Sequence, residues 1–313
     1  METTAVLFNG PRNVGLDSVT LRDPGRDDVV VLIDSSDISP DTERAIWEGR
    51  SPFAERARYP LVPGRACVGE VVSSGPNAVP RVGERVFVPG ADCYQKAHSL
   101  FGGATEILVT PSDKVMQVDG GMGSEAVLMY LAATARHAVA GFAGDMPDLI
   151  VGHGPLGRVL ARLVIAAGAP APTVWESQPG RRKNAQGYEV IAPDADPQKN
   201  YRAVYVTSGD SSGLDQLVGS VIQGGEIVFV GCNDAELSMS IPQALRKEVR
   251  LRMSGDWTMA DLRASGALVE SGALSLERLI SHSLPAVQAA HAYGVAFEQA
   301  DCLKMVLDWS AAA

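Results

Sequence analysis

The residues with the clearest chemical meaning in this 313-residue sequence form a glycine-rich segment that follows an apolar run. Gly152, Gly154 and Gly157 make a GxGxxG pattern. The first glycine permits a tight turn, the second lets a pyrophosphate approach the backbone, and the third lets a following helix pack closely. The surrounding residues agree, because a strand is predicted just before the pattern and a helix from Pro155 onward. We therefore predict a dinucleotide-binding loop made by Gly152, Gly154, Pro155, Leu156 and Gly157.

An acidic residue stands where a dinucleotide-binding unit would need one. Glu176 ends the second predicted strand, 24 positions after Gly152. A carboxylate there accepts hydrogen bonds from the adenosine ribose hydroxyls and repels a 2′-phosphate, so NAD is the predicted cofactor. Arg181 and Arg182 follow, and arginine near this site can accept a 2′-phosphate, but they lie beyond the strand end. The alternative is a glycine-rich turn with a surface glutamate, which the joint occurrence of strand, loop, helix and acid disfavours.

Two further loops directly follow predicted strands of the same sheet. Thr207 and Ser208 follow the fourth strand, and Gly231 and Cys232 follow the fifth. In an open α/β sheet the carboxyl ends of the strands border the ligand crevice. These four residues and Arg181 are therefore further candidates for cofactor binding, with ordinary strand termination as the alternative for the four strand-end residues.

A sheet must position these loops. β and α patterns alternate through the middle of the chain, which predicts a doubly wound parallel sheet in an α/β fold. A helix with Ser124 as its N-cap is predicted to lead into it over 124–140. The predicted strands are 149–152, 173–175, 189–191, 203–206, 226–230 and 249–253.

The two ends of the chain have a different residue pattern from the middle. The first third has short apolar runs between turn residues, which predicts a small, partly open barrel. The end of the chain is predicted to pack back onto that barrel. Its elements are helices at 259–271 and 286–297 and strands at 279–282 and 304–309. The expected domains are therefore 1–121, 122–256 and 257–313.

Composition excludes several classes of protein. Hydrophobic residues make up 46% and charged residues 20%, which is ordinary for a globular chain. The net charge of −10 is spread evenly, so no basic face is expected and nucleic acid is not a predicted partner. The four cysteines form no CxxC pair, the N-terminus resembles no signal peptide, and no apolar run approaches the ~20 residues of a membrane span. We expect a cytoplasmic protein with no transmembrane segment.

Five motifs besides the glycine loop are spread along the chain: residues 62–64 (VPG), 68–72 (VGEVV), 82–86 (VGERV), 102–106 (GGATE) and 131–135 (LAATA). Together they resemble the medium-chain dehydrogenase/reductase superfamily over essentially the whole chain. The resemblance implies a GroES-like β-barrel catalytic domain, a Rossmann domain, hydride transfer to a nicotinamide cofactor, and homodimerisation.

Several stretches resemble one family within that superfamily: 41–43, 47–49, 85–91, 100–104, 174–176 with 181–182, and 301–309 (DCLKMVLDW). This family oxidises the 3-(1-hydroxyethyl) group of a bacteriochlorophyllide to 3-acetyl. The resemblance therefore implies a bacteriochlorophyllide-type small molecule as substrate. One departure is plain, because the family commonly has Tyr-Glu-Ser after Pro-Gly where this chain has Arg65-Ala66-Cys67.

The resemblance also indicates whether this chain has the ligands for a catalytic zinc. Zinc-dependent members of the superfamily take zinc from an early cysteine, a Gly-His-Glu motif and a later residue. This chain has Ser39 at the first position and Gly64-Arg65-Ala66 at the second. A catalytic zinc needs three side-chain ligands, and these residues supply neither thiolate nor imidazole. We therefore expect no metal; the leftover Cys67, Cys93 and His98 form no paired motif.

Without zinc, a side chain or a water chain must take the hydroxyl proton. Thr42 and Glu43 match the Thr-Asp pair of the zinc enzymes, so Thr42 could bond the hydroxyl and Glu43 could orient it or accept the proton. His137 is a second candidate because histidine titrates near neutrality. The alternatives are a structural carboxylate for Glu43 and a structural histidine for His137.

Other roles stay open at this point. Trp47, Phe101 and Trp257 could wall an apolar cleft for a macrocycle, or belong to the core. A zinc-free quinone or enoyl reductase that uses NADPH is one alternative function, which Glu176 argues against. A non-catalytic nucleotide- or pigment-binding protein is the other.

Overall fold

The computed structural model describes residues 1–50, 58–140, 145–209, 213–231 and 237–310, with the side chain of Asp41 left out. The chain divides into two compact units. Unit 1 is Met1–Tyr130 with Leu276–Ala313, and unit 2 is Leu131–Ser275.

Unit 1 is built mainly from strands. Its first half contains β1 (Glu2–Gly10), β2 (Asn13–Thr20), β3 (Asp28–Ile38), α1 (Pro40–Trp47), β4 (Leu61–Val62) and β5 (Cys67–Ser74). Next come β6 (Arg85–Val88), β7 (His98–Ser99), β8 (Ile107–Pro111), β9 (Met116–Gln117) and 3-10 helices at Ser112–Lys114 and Ser124–Leu128.

The described residues of unit 1 form two sheets. One has the order β2-β1-β4-β7. The other is centred on β3, which pairs antiparallel with both β5 and β8. The apolar faces of both sheets enclose one core, in which the Phe8 and Tyr293 rings meet edge to face at 5.0 Å. The central strand β3 is buried along most of its length, with Leu32 as its exposed residue.

The C-terminal segment completes this unit. It contains β16 (His282–Pro285), a 3-10 helix at Ala286–Gln288, α7 (Ala289–Glu298) and β17 (Met305–Asp308). β17 pairs antiparallel with β3 and places Met305 opposite Ile38. The expected return onto the N-terminal strands is therefore present.

Unit 2 is an alternation of strands and helices. Helix α2 (Met129–Ala140) leads in from unit 1. Then follow β10 (Leu149–Val151), α3 (Pro155–Ala166), β11 (Thr173–Trp175), a 3-10 helix at Pro179–Arg182, β12 (Glu189–Ile191) and β13 (Tyr201–Val206). The last elements are α4 (Leu214–Ser220), β14 (Val221–Val230), α5 (Ile241–Lys247), β15 (Arg250–Ser254) and α6 (Met259–Glu270).

Within the described residues the strands of unit 2 form one sheet in the order β12-β11-β10-β13-β14-β15. Every pairing in it is parallel. The order reverses at β10, which lies between β11 and β13. Reversal at a central strand defines a doubly wound sheet and places the ligand crevice at the carboxyl ends of the strands. The parallel sheet predicted from the sequence is confirmed.

The structure places both domain boundaries later than expected. The first is at Tyr130 instead of 121, because the 3-10 helix at Ser124–Leu128 is buried in unit 1. The second is at Ser275 instead of 256, because Asp261 on α6 bonds Arg136 and His137 on α2. Burial sets the first boundary, and side-chain contacts between residues distant in sequence set the second.

Two local predictions are corrected. Gly123, and not Ser124, is the N-cap residue of the 3-10 helix that precedes α2. The strand expected at 279–282 begins only at His282 and runs to Pro285. Its register is set by parallel pairing with β17, which aligns His282 with Met305.

Candidate active-site residues in the two units

The glycine loop of unit 2 has the geometry that its sequence predicts. Gly152 has φ of 105°, a conformation that favours glycine, and its N–H donates to the Trp175 carbonyl at 2.8 Å. A Cβ on Gly157 would lie 1.9 Å from the Gly152 carbonyl oxygen, so only glycine lets α3 start this close to the strand end. A Cβ on Gly154 would meet nothing within 4 Å, so the space beside this residue is open.

Glu176 is held beside this loop. Its carboxylate accepts hydrogen bonds from the His153 N–H at 3.1 Å and from the Gln178 N–H at 2.8 Å. The side chain is buried. A carboxylate oxygen has two lone pairs, so each oxygen of Glu176 keeps the capacity to accept a further hydroxyl. Two backbone N–H donors therefore fix the Glu176 carboxylate at the end of β11.

The segment that carries Arg181 is fastened to the same loop. The Arg158 side chain donates to the carbonyls of His153 and Arg181 at 3.0 and 3.1 Å. His153 Nδ1 donates to the Arg181 carbonyl at 2.7 Å, and its Nε2 accepts from the Tyr188 hydroxyl at 2.9 Å. Burial lowers the pKa of His153 to about 4, so the ring is neutral at pH 7. His153 thus shapes the loop.

The remaining cofactor candidates lie at the ends of the neighbouring strands. The Thr207 hydroxyl donates to the carbonyl of Val151 at 3.1 Å, which ties the end of β13 to β10. Ser208 packs against Gly152, where a Cβ would come within 3.0 Å of the Ser208 Cα. Gly231 has φ of 76° at the end of β14. Cys232 lies outside the described residues.

These residues fit a nicotinamide dinucleotide. Gly154 leaves open space at the N-terminus of α3, which carries Pro155 and Leu156 in its first turn. A helix N-terminus presents unpaired N–H groups to a phosphate. The fixed carboxylate of Glu176 suits a ribose diol. When bound, such a cofactor supplies the acceptor for a hydride.

In unit 1, Glu43 is fully buried at the second turn of α1. Its Oε1 accepts from the Gly64 N–H at 2.9 Å, and its Oε2 accepts from the Ser39 N–H at 3.3 Å. Burial and the nearby Asp37 carboxylate raise the pKa of Glu43 to about 8. Both carboxyl oxygens therefore bond backbone, as the structural alternative expects, and the role of Glu43 as proton acceptor stays a prediction.

A second buried network adjoins Glu43, and sequence reasoning missed it. The Lys304 ammonium forms an ion pair with Asp37 and donates to the Tyr130 hydroxyl at 2.7 Å and the Ile38 carbonyl at 2.9 Å. The Tyr130 hydroxyl donates to Asp37 at 3.0 Å, and the Ala66 N–H donates to the same carboxylate at 2.8 Å. Burial raises the pKa of Tyr130 well above its usual range, so its phenol is neutral.

The other two proton-transfer candidates are placed differently. Thr42 is half-buried on α1. His137 lies on α2 in unit 2, where its Nδ1 is 2.9 Å from Asp261 Oδ2. The same carboxylate accepts from Arg136 at 2.6 Å and joins Thr258 in the capping box of α6. His137 therefore sits in a network that also fixes a helix terminus.

The three candidate wall residues separate into core and half-buried positions. Trp47 is buried and packs edge to face on Phe297 at 5.3 Å, so it belongs to the core. Phe101 and Trp257 are half-buried. Phe101 has φ of 66°, a strained conformation for an aromatic residue, and its ring lies 4.8 Å from the guanidinium carbon of Arg65.

Over the residues that the structure describes, no group of three or more His, Cys, Asp or Glu side chains could hold a metal ion. Ser39 is buried and donates its N–H to Glu43. Burial also raises the pKa of the Cys67 thiol well above its usual range, which disfavours a thiolate ligand. The absence of zinc stays a prediction.

Comparison with known proteins agrees with this geometry. Residues 25–120 match the family model of the alcohol dehydrogenase GroES-like domain. A protein of Rhodobacter capsulatus named 2-desacetyl-2-hydroxyethyl bacteriochlorophyllide A dehydrogenase is 50% identical over 310 residues, which cover 99% of each chain. The protein of the same name from Cereibacter sphaeroides is 48% identical over 318 residues and 100% of each chain.

Solved structures show the same architecture. An Escherichia coli alcohol dehydrogenase complexed with NADH superposes with a TM-score of 0.83 at 18% identity, over 98% of this chain and 99% of that one. The predicted fold, a Rossmann sheet with a GroES-like domain, is confirmed. The chain belongs to the medium-chain dehydrogenase/reductase superfamily of oxidoreductases and, within it, to the family of the bacteriochlorophyllide dehydrogenases.

Among the described residues, no helix is both long and apolar enough to span a membrane.

Proposed function

We propose that this protein oxidises the 3-(1-hydroxyethyl) group of a bacteriochlorophyllide to 3-acetyl, with NAD as hydride acceptor and without zinc. The observation that carries the proposal is the 50% identity, over 99% of both chains, to the named dehydrogenase of Rhodobacter capsulatus. Identity at this level along the full length favours a shared reaction over a shared scaffold alone.

The proposed oxidation consists of two transfers, one of a hydride and one of a proton. The carbinol C–H bond would break and its electron pair would pass as hydride to a nicotinamide cofactor, which the glycine loop and Glu176 would hold. The O–H proton passes to a base or to water, and the carbon–oxygen bond becomes a carbonyl. Glu176 supports NAD as the acceptor, because its buried carboxylate would repel a 2′-phosphate.

Zinc independence rests on the donor set of unit 1. Ser39 and Arg65 stand at two positions where the resemblance to zinc-dependent members would require ligands. A guanidinium cannot be deprotonated in a protein and donates only, so it cannot bind zinc. The charge that a metal would stabilise must then be met by hydrogen-bond donors of the chain itself.

The proton acceptor is proposed from three candidates, namely Thr42, Glu43 and His137. If Glu43 accepts the proton, Glu43→Gln should lower kcat by about 10²–10⁴-fold with little change in KM. His137→Gln is the matched comparison. Because Glu43 is bonded to backbone and His137 to Asp261, near-normal rates in both variants would assign the proton to water, with Thr42 bonding the hydroxyl.

The experiment is steady-state oxidation of a 3-(1-hydroxyethyl) bacteriochlorophyllide by the purified protein, followed by pigment absorbance. We expect turnover with NAD and much slower turnover with NADP. A quinone and NADPH in the same assay test the reductase alternative. Turnover of the quinone with no oxidation of the pigment would overturn the proposal, and binding of pigment without turnover would support a non-catalytic protein.

A further inference from the structure

We propose that Arg65 is a substrate-binding residue whose guanidinium edge donates to an anionic oxygen of the substrate. The inference rests on the proposed function for the identity of the substrate. Its physical basis is separate, because it depends only on contacts within unit 1.

The Arg65 guanidinium has N–H donors that no acceptor among the described residues uses. Its carbon lies 4.8 Å from the centre of the Phe101 ring and 5.2 Å from the centre of the Tyr130 ring. Over the part of the chain that the structure describes, it makes no hydrogen bond or ion pair. A guanidinium carries five N–H donors in one plane, and ring contacts leave that edge available. A half-buried cation of this kind is stabilised by an anionic acceptor.

The backbone around Arg65 is fixed on both sides. The Gly64 N–H donates to Glu43 at 2.9 Å, and the Ala66 N–H donates to Asp37 at 2.8 Å. Gly64 has φ of 93°, and a Cβ there would lie 2.3 Å from the Ala104 nitrogen. Two buried carboxyl groups and a close backbone approach therefore present Arg65 from a rigid turn. A preorganised donor is the kind that binding and catalysis require.

The aromatic rings that hold Arg65 are fixed as well. Phe101 adopts φ of 66°, and its carbonyl accepts the Ala91 N–H at 2.6 Å. Tyr130 is anchored through its hydroxyl to Asp37 and Lys304. Backbone strain at a non-glycine residue persists only where its surroundings impose it, and it concentrates at ligand-binding sites.

Within the described ranges of the chain, no carboxylate forms an ion pair with Arg65. Asp37 and Lys304 neutralise each other in a buried ion pair. Glu43 is occupied by two backbone donors, and its raised pKa keeps most of it uncharged at pH 7. Among these described groups, the positive charge of the Arg65 guanidinium is therefore the one that has no charged partner. Asp37 and Glu43 act on it as positioning residues, through the backbone of Gly64 and Ala66.

Two oxygens of the substrate have the required chemistry. One is the carbinol oxygen, which carries negative charge once its proton has left and until departure of the hydride converts it to a carbonyl oxygen. The other is the carboxylate of the propionic side chain that a bacteriochlorophyllide carries. Arg65 would bind the first mainly in the transition state and the second already in the ground state, so kinetics and binding distinguish them.

The test compares Arg65→Gln with Arg65→Lys and with a matched control, Arg12→Gln. Arg12 also stacks on an aromatic ring of unit 1, at 4.6 Å from Trp47, but it is exposed and paired with Glu298 at 3.3 Å. For each variant we would measure kcat and KM with NAD, and pigment Kd by fluorescence without cofactor. Both the free-acid pigment and its methyl ester would be used, and thermal melting would confirm folding.

If Arg65 binds the reacting oxygen, Arg65→Gln should lower kcat by about 10²–10³-fold on acid and ester alike, with little change in Kd. If Arg65 binds the carboxylate, the wild type should prefer the acid over the ester by about 10-fold or more, and Arg65→Gln should abolish that preference. Arg65→Lys should recover part of either effect, and Arg12→Gln should resemble the wild type.

The inference is wrong if folded Arg65→Gln keeps kcat, KM and Kd within about twofold of the wild type. Losses no larger than those of Arg12→Gln would also refute it. In both cases wild-type oxidation of the pigment would leave the proposed function standing. A wild type that neither binds nor oxidises the pigment would overturn the function and the inference together.

Discussion

At the scale of single residues, burial decides what an ionisable group does. Glu43 is a candidate base because it lies beside Thr42, and the structure buries its carboxyl group completely against two backbone N–H groups. Glu176 is buried too, but it lies at the carboxyl end of a strand, where ligands bind in doubly wound sheets. Two buried glutamates thus have different expected roles, and each gives a prediction.

Glu43→Gln should change how stability depends on pH. The folded-state pKa of Glu43 is raised to about 8 from an ordinary 4.5, so protonated Glu43 favours the folded state. That contribution is complete below about pH 4.5 and is lost as pH rises to about 8, a change of order 3–5 kcal/mol. The free energy of unfolding, measured with urea from pH 5 to 9, should therefore fall more steeply in the wild type than in Glu43→Gln. Parallel curves would contradict the assignment.

Glu176→Gln should weaken NAD binding and raise the NADP-to-NAD preference. The substitution removes the charge that bonds a ribose diol and repels a 2′-phosphate, so a loss of about 10–100-fold in NAD affinity is expected. Calorimetric titration of both cofactors into wild type and variant measures this. Glu189→Gln is a control, since this exposed residue lies on the neighbouring strand β12. Equal affinity of the wild type for NAD and NADP would contradict the prediction.

At the scale of elements, the start of α3 couples a packing constraint to a binding site. A Cβ at Gly157 would meet the Gly152 carbonyl at 1.9 Å, whereas a Cβ at Gly154 would meet open space. The packing constraint in this motif therefore falls on Gly157, and the proposed cofactor contact falls on Gly154. This distinction follows from where the strand end and the helix approach each other.

Gly157→Ala and Gly154→Ala should have different effects on thermal stability, although both should weaken NAD binding. Gly157→Ala should lower the melting temperature by several degrees, because the strand-to-helix turn must open, and should lose NAD binding as a result. Gly154→Ala, at φ of −72°, should melt like the wild type and still bind NAD at least about 10-fold more weakly. Differential scanning calorimetry without cofactor, followed by titration of NAD, separates the two. Equal melting temperatures for both variants would contradict the packing argument.

At the scale of the whole molecule, the chain is a member of an oxidoreductase superfamily with a distinctive polar cluster. Asp37, Lys304 and Tyr130 form a satisfied, buried network in unit 1, beside the turn that carries Arg65. Homodimerisation stays a prediction that analytical ultracentrifugation would test. Metal content is the molecular property on which the proposed mechanism depends most directly.

The purified protein should contain well under one zinc per chain, and chelators should leave its activity intact. The reason is the donor set, since Ser39 and Arg65 supply no thiolate or imidazole. Elemental analysis and turnover before and after dialysis against a chelator check this. Loss of activity that only added zinc restores would refute the prediction.

The sequence by itself determined the features that depend on short-range patterns. The glycine loop, its flanking strand and helix, and Glu176 are contiguous or nearly so, and their spacing specifies turn geometry directly. The parallel sheet followed for the same reason, because alternating strand and helix periods are local properties of the chain. Thr207, Ser208 and Gly231 could be placed at strand ends on this basis.

Only the tertiary structure decided which buried charges meet. Lys304 bonds the Ile38 carbonyl 266 positions away, because antiparallel pairing of β17 with β3 aligns Met305 with Ile38. That register brings the ammonium to Asp37, and burial then demands the pairing, since an unpaired charge in the core is costly. No local pattern encodes this register. The same kind of long-range contact placed both carboxylate oxygens of Glu43 on backbone N–H groups, and among the described residues no acceptor bonds the Arg65 guanidinium.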